Sequence, residues 1–496
     1  MKKINEMQEL CKRQQCPLKV LQYGEGNFLR AFVDYGIDVA NEEGRFNGNV
    51  AVVVPTPLHD GSRRLLKFFA AQDNYYTVCL RGKKNGAAYQ ENRVISCVER
   101  VLSAHEDFDA YMQLAEGEEL EYVVSNTTEA GIVFDPSDKA DDKPALHFPA
   151  KLTQFLYRRY RHFNGAADKG LIMLPVELID HNGEALAACV NKYIDLWQLP
   201  AAFKQWVEQS CIFAGTLVDR IVPGYPKGEA DKIMQELGYE DNLLDQAEPF
   251  GLWVIGDERV KSKFDIGGDK LQVEFTDKIE VYKERKVRIL NGAHTSMVLG
   301  AYLAGFDYVG DCMVDADIRR QLDQSVFGEI VPTVHLPKEQ AENFARAVFE
   351  RFENPFVKHA LLSISLNSVS KWRARVLPSL KDSAAQNGGK LPKWLTYSLA
   401  ALLAFYRTGE KGDGCLIGKR GNDTYNIKDD AEKMDFIAQN AAKSTPDYVR
   451  AVMTQADWWG EDLTQITGMY DAVCRHLQGI EEKGAKAYIK QLGDEG

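Results

Sequence analysis

The strongest constraint on the fold is that short apolar segments alternate with amphipathic helical patterns throughout the N-terminal half of the chain. NVAVVV (49–54) is apolar along its whole length, as in a strand buried on both faces. Strands and helices that alternate at this spacing form βαβ units around a parallel sheet. The other predicted strands are LKVLQY (18–23), YYTVCLR (75–81), RVISCVERVL (93–102), EYVVSN (121–126) and GLIMLPVE (170–177), and the clearest helices are 28–44, 152–163 and 183–197.

The C-terminal half has a different pattern, which is helical almost throughout, as in 341–352 and 392–407. One segment, TGEKGDGCLIGKRGNDTYN (408–426), carries five glycines and is predicted to be irregular. The segment 256–270 is polar and rich in turn residues, so it is predicted to connect two domains. The sequence thus predicts an α/β fold, with a Rossmann-type domain over residues 1–275 and a mostly α-helical domain over residues 276–496.

Composition excludes several classes of protein. The 496 residues carry a net charge of −12 without a basic cluster, which argues against nucleic-acid binding. No apolar run is long enough for a signal peptide or a membrane span. The nine cysteines are scattered and contain no CxxC pair, which favours a reducing cytoplasm. The nine histidines include no HExxH pair, so no metal is expected.

The first candidate site is the turn in LQYGEGNFLR, where a predicted strand runs into a helix through two glycines. Such a turn can hold the pyrophosphate of a dinucleotide, because glycines let the backbone approach the phosphates and the helix start supplies free N–H groups. The third glycine of the usual motif is replaced by Leu29. An ordinary strand–helix turn is the alternative. The candidate cofactor-binding residues are Gly24, Glu25, Gly26, Asn27 and Phe28.

A second candidate lies at the end of the strand 121–126, where small polar residues suit a ribose or a nicotinamide. These residues are Ser125, Asn126, Thr127, Thr128 and Glu129. Alternatively, or in addition, Asn126 or Thr127 caps a helix that has Glu129 in its first turn. The second strand ends in Val54-Pro55-Thr56 and lacks the acid that often selects NAD over NADP.

The third candidate is KVRILNGAH (286–294). A lysine can transfer the proton in alcohol–ketone interconversion when burial or nearby positive charge lowers its pKa. An asparagine can stabilise an oxyanion, and a histidine can hold the substrate oxygen. On an α-helix Lys286, Asn291 and His294 fall at about 0°, 140° and 80°, within one sector. A solvated lysine and a structural histidine are the alternative.

The strings GEGNFLRAFVDY, SNTTEAGI, TLVDRIVPGYP, YKERKVRILNGAH and NPFVKHALLSISLN together resemble the polyol-specific long-chain dehydrogenases, or mannitol dehydrogenase family. The resemblance runs from about residue 17 almost to the C-terminus. It implies a metal-independent, NAD-dependent oxidoreductase in which Lys286 is the acid–base group, Asn291 stabilises the oxyanion and His294 orients the oxygen. Leu29 and Phe32 stand where mannitol-type members have histidines, which favours a hexuronate substrate.

The resemblance therefore implies a small-molecule substrate and reversible, NADH-dependent reduction of D-tagaturonate to D-altronate in hexuronate catabolism. Fructuronate and a mannitol-type polyol are the alternative substrates.

The sequence departs from the family pattern at two places. Leu178 stands where mannitol-type members have an oxyanion-hole asparagine, and Asn182 is a possible replacement. Ser363 stands at a family arginine, while the family lysine is kept as Lys371. A uronate carries a carboxylate that mannitol lacks, and the candidates to bind it are Lys371, Arg373 and Arg220. The two arginines could equally be structural.

Overall fold

The computed structural model describes residues 1–128 and 130–495. The chain divides into two compact units, Met1–Ile279 and Glu280–Gly496. The first unit is built around β-sheet with helices, and the second is mostly α-helical.

The first unit contains a six-stranded sheet in which every neighbouring pair is parallel. The order β3-β2-β1-β4-β5-β6 is that of the dinucleotide-binding fold. Successive strands are added towards one edge of the sheet up to β3 and towards the other edge from β4 onwards, so the switch point lies between β1 and β4. The predicted α/β class with a Rossmann-type sheet is confirmed. The six strands are β1 (Leu18–Tyr23), β2 (Asn49–Val54), β3 (Val98–Ser103), β4 (Tyr122–Ser125), β5 (Ile172–Pro175) and β6 (Ile212–Phe213).

The sheet is covered on both faces, which explains why residues 50–54 of β2 are apolar without alternation. Val52 belongs to a hydrophobic cluster on one face, and the next residue, Val53, belongs to a different cluster on the other. The α-helices of this unit are Asn27–Leu29, Tyr35–Glu42, Asp60–Ala71, Phe108–Gln113, Phe148–His162, Asn182–Leu196, Ala201–Ser210 and Ala230–Leu237. A π-helix spans Arg30–Asp34, and 3-10 turns span Ile4–Glu6, Leu114–Glu116, Ala167–Lys169 and Glu258–Val260.

The predicted single strand 93–102 is wrong, because the chain forms two strands there. Ala87–Ile95 pairs antiparallel with Tyr76–Lys84 outside the parallel sheet, and the next strand is β3. The break has a local cause, since the backbone N–H groups of Ser96 and Cys97 donate to Asp38 Oδ2 at 2.6 and 3.1 Å. The remaining strands of the unit are Lys2–Lys3, Thr216–Asp219, Tyr239–Glu240, Asp245–Ala247, Leu252–Ile255 and Gln272–Phe275.

The segment 256–270 belongs to the first unit and is not a connection between domains. Phe264 and Ile266 are buried in the core of this unit. The strand Gln272–Phe275, which follows directly, pairs in parallel with Leu252–Ile255. The segment is mostly polar, so the sequence pattern did not indicate that two of its side chains belong to the core.

The second unit is mostly helical, as predicted. Its α-helices are Ile279–Arg285, which begins at the boundary, Gly292–Leu303, Val309–Val314, Ala316–Asp323, Lys338–Phe352, Leu361–Ile364, Ser368–Arg375, Leu377–Gln386, Lys393–Tyr406, Ala431–Asn440, Thr445–Met453, Ala456–Trp459, Met469–Lys483 and Ala485–Asp494. π-Helices span Lys286–Asn291 and Gln324–Ile330, and 3-10 turns span Val331–Thr333 and Leu463–Gln465.

The glycine-rich segment 408–426, predicted to be irregular, is instead an antiparallel three-stranded sheet. Its strands are Lys411–Gly412, Cys415–Arg420 and Asp423–Ile427. Gly414 and Gly421 have φ of +62° and +61°, which suits the two tight turns between the strands. The prediction failed because these glycines mark hairpin turns.

Across the described ranges, no helix is both long enough and apolar enough to cross a bilayer. The same ranges contain no group of three or more His, Cys, Asp or Glu side chains placed to hold a metal ion. All nine cysteines are free thiols.

Candidate active site

The glycine turn lies where the sheet order reverses, which is where open α/β sheets bind their ligands. Gly24 follows β1 with φ of +122°. A Cβ atom on Gly24 would lie 2.9 Å from Leu29 Cδ1 and 3.3 Å from the Asn126 carbonyl oxygen. A Cβ atom on Gly26 would have no neighbour within 4 Å. The turn is therefore tightly packed around Gly24 and open beside Gly26, as the approach of a pyrophosphate requires.

Arg30 fixes the polar side of this turn from beneath. Its buried guanidinium donates to the Leu243 carbonyl oxygen and to Asn27 Oδ1, both at 2.6 Å, and lies 3.5 Å from Asp245 Oδ2. Phe28 stacks on Phe32 with ring centroids 4.9 Å apart. These contacts hold Asn27 and Phe28 in place before any ligand binds.

A groove of about 410 Å³ adjoins the turn. Its lining includes Asn27, Arg30, Arg64 and Lys227, so its charged side chains are all basic. Burial raises the pKa of the Glu25 carboxyl, which lies in the turn itself. The open glycine, the start of the helix at Asn27 and the basic groove together fit the anionic diphosphate of a dinucleotide.

The loop after β4 is organised by Glu177, a residue to which the sequence gave no role. The buried Glu177 carboxylate accepts hydrogen bonds from the Thr127 amide and hydroxyl, both at 2.9 Å, and from Ser125 Oγ at 3.0 Å. Burial holds the pKa of the Glu177 carboxyl above its usual value, although the hydrogen bonds from these donors oppose the shift. The carboxylate therefore draws the end of β4 and the end of β5 together.

The predicted helix cap at Asn126 or Thr127 is wrong. The next helix along the described chain begins only at Phe148, and Thr128 has a left-handed φ of +73°. Glu129 lies outside the described residues. The hydroxyl of Thr127 is occupied by Glu177 rather than by a helix terminus.

Lys286 and Asn291 are the first and last residues of a π-helix inserted between two α-helices. The sequence prediction placed them on an ideal α-helix, and that geometry is wrong. A π-helix closes i→i+5 hydrogen bonds, so residues five apart follow each other by one turn on one face. Both side chains are partly exposed. The π-helix therefore brings Lys286 and Asn291 closer in angle than an α-helix would.

His294 follows in the α-helix Gly292–Leu303 and is 9% exposed. Its ring stacks on Phe352 at 4.1 Å and meets His359 edge-on at 5.3 Å. Burial holds the pKa of His294 well below its usual range, and the neighbouring His359, Arg351, Arg375 and Lys371 lower it further. The imidazole is neutral at physiological pH, and its Nε2 has no hydrogen-bond partner among the described residues.

The helix Ser368–Arg375 carries the predicted substrate-binding residues Lys371 and Arg373 on different faces. Lys371 is partly buried and is among the cations that act on His294. Arg373 is exposed, and its contacts are with the Asp457 carbonyl oxygen and the backbone at Gly460. The sequence analysis missed Arg375 and His359. The four-residue spacing of Lys371 and Arg375 was the signal that pointed to one helix face.

Comparison with known proteins identifies the family. The family model for the mannitol dehydrogenase Rossmann domain matches residues 18–267. The family model for the mannitol dehydrogenase C-terminal domain matches residues 278–481. The chain belongs to the mannitol dehydrogenase family. It is accordingly an NAD-dependent oxidoreductase.

Relatives and solved structures extend this assignment. Proteins named altronate oxidoreductase from Escherichia coli O7:K1 and Shigella flexneri are each 44% identical over 96% of this chain and 97% of their own. A substrate-free D-sorbitol dehydrogenase has a TM-score of 0.83 at 20% identity, covering 99% of this chain and all of its own. Pseudomonas fluorescens mannitol 2-dehydrogenase, solved with NAD and D-mannitol, has a TM-score of 0.66 at 20% identity, covering 97% and 95%.

The residue proposed to replace the family's oxyanion-hole asparagine is fully used by the fold. Asn182 is 2% exposed, and its amide donates to the carbonyl oxygens of Pro175, Glu177 and Thr216 at 2.9 to 3.1 Å. No amide hydrogen is left for a substrate oxygen. Leu178, at the family position itself, is 65% exposed.

Arg220 is likewise structural. Its buried guanidinium donates to the carbonyl oxygens of Ala31 and Phe250 at 2.7 and 2.9 Å and lies over the Tyr35 ring at 5.0 Å. Two further carbonyl oxygens accept from its remaining terminal nitrogen. Burial lowers the pKa of Arg220 to about 10. All of its hydrogen bonds are made within the first unit, which favours a structural role over binding of a substrate carboxylate.

Proposed function

We propose that the chain catalyses the reversible, NADH-dependent reduction of D-tagaturonate to D-altronate in the cytoplasm. The observation that supports this choice of substrate is the 44% identity to altronate oxidoreductases over 96% of the chain. The substrate is thus a ketouronate in one direction and an aldonate in the other. Residues 1–275 are assigned to dinucleotide binding and residues 276–496 to substrate binding and catalysis.

Bound NADH supplies the hydride. The residues assigned to hold it are Gly24, Glu25, Gly26, Asn27 and Phe28 at the glycine turn and Ser125, Asn126, Thr127, Thr128 and Glu129 after β4. The support for the first group is the open backbone at Gly26 beside the basic groove. For the described members of the second group it is their place at the switch point of the sheet.

Proton transfer is assigned to Lys286, whose ammonium protonates the ketone oxygen in reduction and whose amine accepts that proton in oxidation. Asn291, one π-turn later, donates a hydrogen bond to the oxygen as negative charge develops. The neutral imidazole of His294 holds the substrate through Nε2 without adding charge. The two groups that act on the oxygen are thus on one face of the π-helix.

The test of the catalytic assignment is Lys286→Ala. Removing a general acid–base group is expected to lower kcat about 10³-fold. Quenching of protein fluorescence should show NADH binding within twofold of wild type. Lys283→Ala is the matched control, because Lys283 lies on the preceding turn and pairs with Glu280 at 3.8 Å. Near-normal kcat in Lys286→Ala would show that the proton comes from another group.

The substrate is tested by following NADH oxidation with D-tagaturonate, D-fructuronate and D-fructose, each with and without a chelator. The proposal requires the highest kcat/KM with D-tagaturonate and no effect of the chelator. A preference for fructuronate or fructose would assign the chain to another specificity within the family. NADH binding without turnover of any ketose would indicate a non-catalytic dinucleotide-binding protein.

A further inference from the structure

The helical face around His294 concentrates positive charge. Arg375 Nη1 lies 3.5 Å from the hydroxyl of Thr295, the residue after His294. The Arg375 carbonyl oxygen would lie 3.2 Å from a Cβ atom on Gly292, so the glycine permits the two helices to approach closely. Lys371 precedes Arg375 by one turn of the same helix. Two cations four residues apart on a helix repel each other, so this arrangement has a cost in stability.

Neither cation forms an ion pair with a carboxylate of the described residues, although Asp429 acts on Lys371 at longer range. Lys371 Nζ donates to the Ile364 carbonyl oxygen at 2.9 Å. Arg375 forms no ion pair with any described residue. Burial lowers the pKa of both groups, and for Lys371 the charge of Arg375 lowers it further. Partly buried charges without counter-ions are costly, and a bound anion would remove this cost.

Other arginines of the second unit show that Arg375 is exceptional. Arg288 pairs with Glu284 at 3.0 Å and also binds Asp382. Arg420 pairs with Asp307 at 2.8 Å, and Arg407 binds Glu481. Each of these side chains is less than 20% exposed, and each has a carboxylate from its own unit. A fold that pairs its buried arginines so regularly leaves Arg375 available for a charge from outside the chain.

We propose that Arg375 and Lys371 bind the substrate carboxylate, and that Arg375 is the residue by which the chain selects a ketouronate over an uncharged ketose. This inference rests on the proposed function. A planar guanidinium can bind both carboxylate oxygens at once, and the ammonium one turn earlier adds a second charge. An uncharged ketose leaves both cations unpaired, so its binding is penalised. Arg373, the sequence candidate, lies on the exposed face of the same helix.

The test compares kcat/KM for D-tagaturonate with kcat/KM for D-fructose in wild type and in Arg375→Gln. Loss of one partner of a buried charge pair is expected to lower kcat/KM for the ketouronate about 100-fold. The value for D-fructose should change by less than about threefold, because that substrate does not use the charge. Arg375→Lys keeps the charge without the planar fork, so it should recover part of the loss. Arg346→Gln, at an exposed arginine paired with Glu342, is the matched control.

The outcomes separate the inference from the proposed function. If wild type reduces no ketouronate, the proposed function fails. If wild type prefers the ketouronate and Arg375→Gln keeps that preference, only the inference fails. Equal losses on both substrates would show that Arg375 has a structural role, and loss of preference in Arg373→Gln instead would move the site to the exposed face.

A binding measurement covers the case in which Arg375→Gln does not fold. In wild type, D-altronate should inhibit at least tenfold more strongly than the uncharged alditol of the same configuration, and Arg375→Lys should narrow that difference. Equal inhibition by the aldonate and the alditol in wild type would overturn the inference.

Discussion

Three buried polar side chains that organise the first unit are satisfied within that unit, whereas the region around His294 in the second unit keeps an unsatisfied ring nitrogen and a partly buried arginine without a carboxylate partner. In the first unit, Asn182, Arg220 and Glu177 all direct their polar atoms to the unit's own backbone or side chains. In the second, among the described residues, His294 Nε2 has no hydrogen-bond partner and Arg375 has no carboxylate partner. The glycine turn of the first unit is expected to bind its ligand through the shape of the backbone. The region around His294 is expected to bind a ligand that supplies the missing hydrogen-bond partner and counter-charge.

The largest expected effects come from replacing one asparagine of each unit, Asn182 and Asn291, with alanine. Asn291 makes no side-chain hydrogen bond within the described chain, so Asn291→Ala should leave stability unchanged. As the loss of one oxyanion donor, it should lower kcat about 10²- to 10³-fold. Asn182→Ala should instead lower the free energy of unfolding by about 3 kcal/mol, because its buried side chain donates to three backbone carbonyl groups and accepts from the N–H groups of Gly183 and Thr216.

Urea unfolding and steady-state kinetics on both variants would check this pair. The control for Asn182 is a kinetic measurement well below the melting temperature of the variant, where kcat should be near that of wild type. A stable Asn182→Ala enzyme with lost kcat would place Asn182 in the oxyanion hole and break the comparison.

A second prediction separates packing from ligand approach within the first unit. Gly24→Ala meets a left-handed φ and two close neighbours, so it should cost about 1–3 kcal/mol of stability. Gly26→Ala has a φ of −68° and open space, so its melting temperature should not change. Its affinity for NADH should nevertheless fall about tenfold, because the new methyl group occupies the path of the pyrophosphate. Unchanged affinity in Gly26→Ala would place the cofactor elsewhere.

The sequence predicted the first unit well, because period and composition report burial directly. β1 and β2 were predicted to the residue, and the glycine turn was found because its place between strand and helix is a local property. The errors had two different origins. Asp38 divides a strand through contacts distant in sequence, and paired glycines in 408–426 mark hairpins that resemble a loop.

The candidate site of the second unit could be predicted only in part. Lys286, Asn291 and His294 occur in one string, so their identity was visible, but a π-helix has no clear sequence signature and their geometry was missed. The importance of Arg375 over Arg373 depends on which face of a short helix is buried. That face is decided by packing against Gly292 and Thr295, which lie far away in the sequence.

The smallest effect concerns pH, and Asp34 of the first unit and His476 of the second should respond with opposite sign. Burial raises the pKa of Asp34 in the first unit to about 7, although Tyr76 donates a hydrogen bond to it at 2.8 Å. In the unfolded chain an aspartate titrates near pH 4. Between these values only the folded state keeps the proton, so this group's contribution to stability is full below pH 4. It is lost progressively as pH rises to about 7.

His476 in the second unit has the opposite effect. Burial lowers its pKa to about 4, and the neighbouring Arg475 lowers it further. Between pH 4 and the unfolded value near 6.5, only the unfolded state binds the proton, so stability rises with pH. From pH 5 to pH 6, Asp34 should lower the free energy of unfolding by about 1.4 kcal/mol, and His476 should raise it by nearly as much.

These opposing contributions can be separated by substitution. Asp34→Asn keeps an acceptor for Tyr76 and should make the change in unfolding free energy from pH 5 to pH 6 more positive. His476→Gln should make that change more negative. Urea unfolding at the two pH values would measure both, and hydrogen exchange resolved by peptide would show which unit carries each change. A change equal to that of wild type in both variants would mean that neither Asp34 nor His476 keeps its shifted pKa in the folded protein.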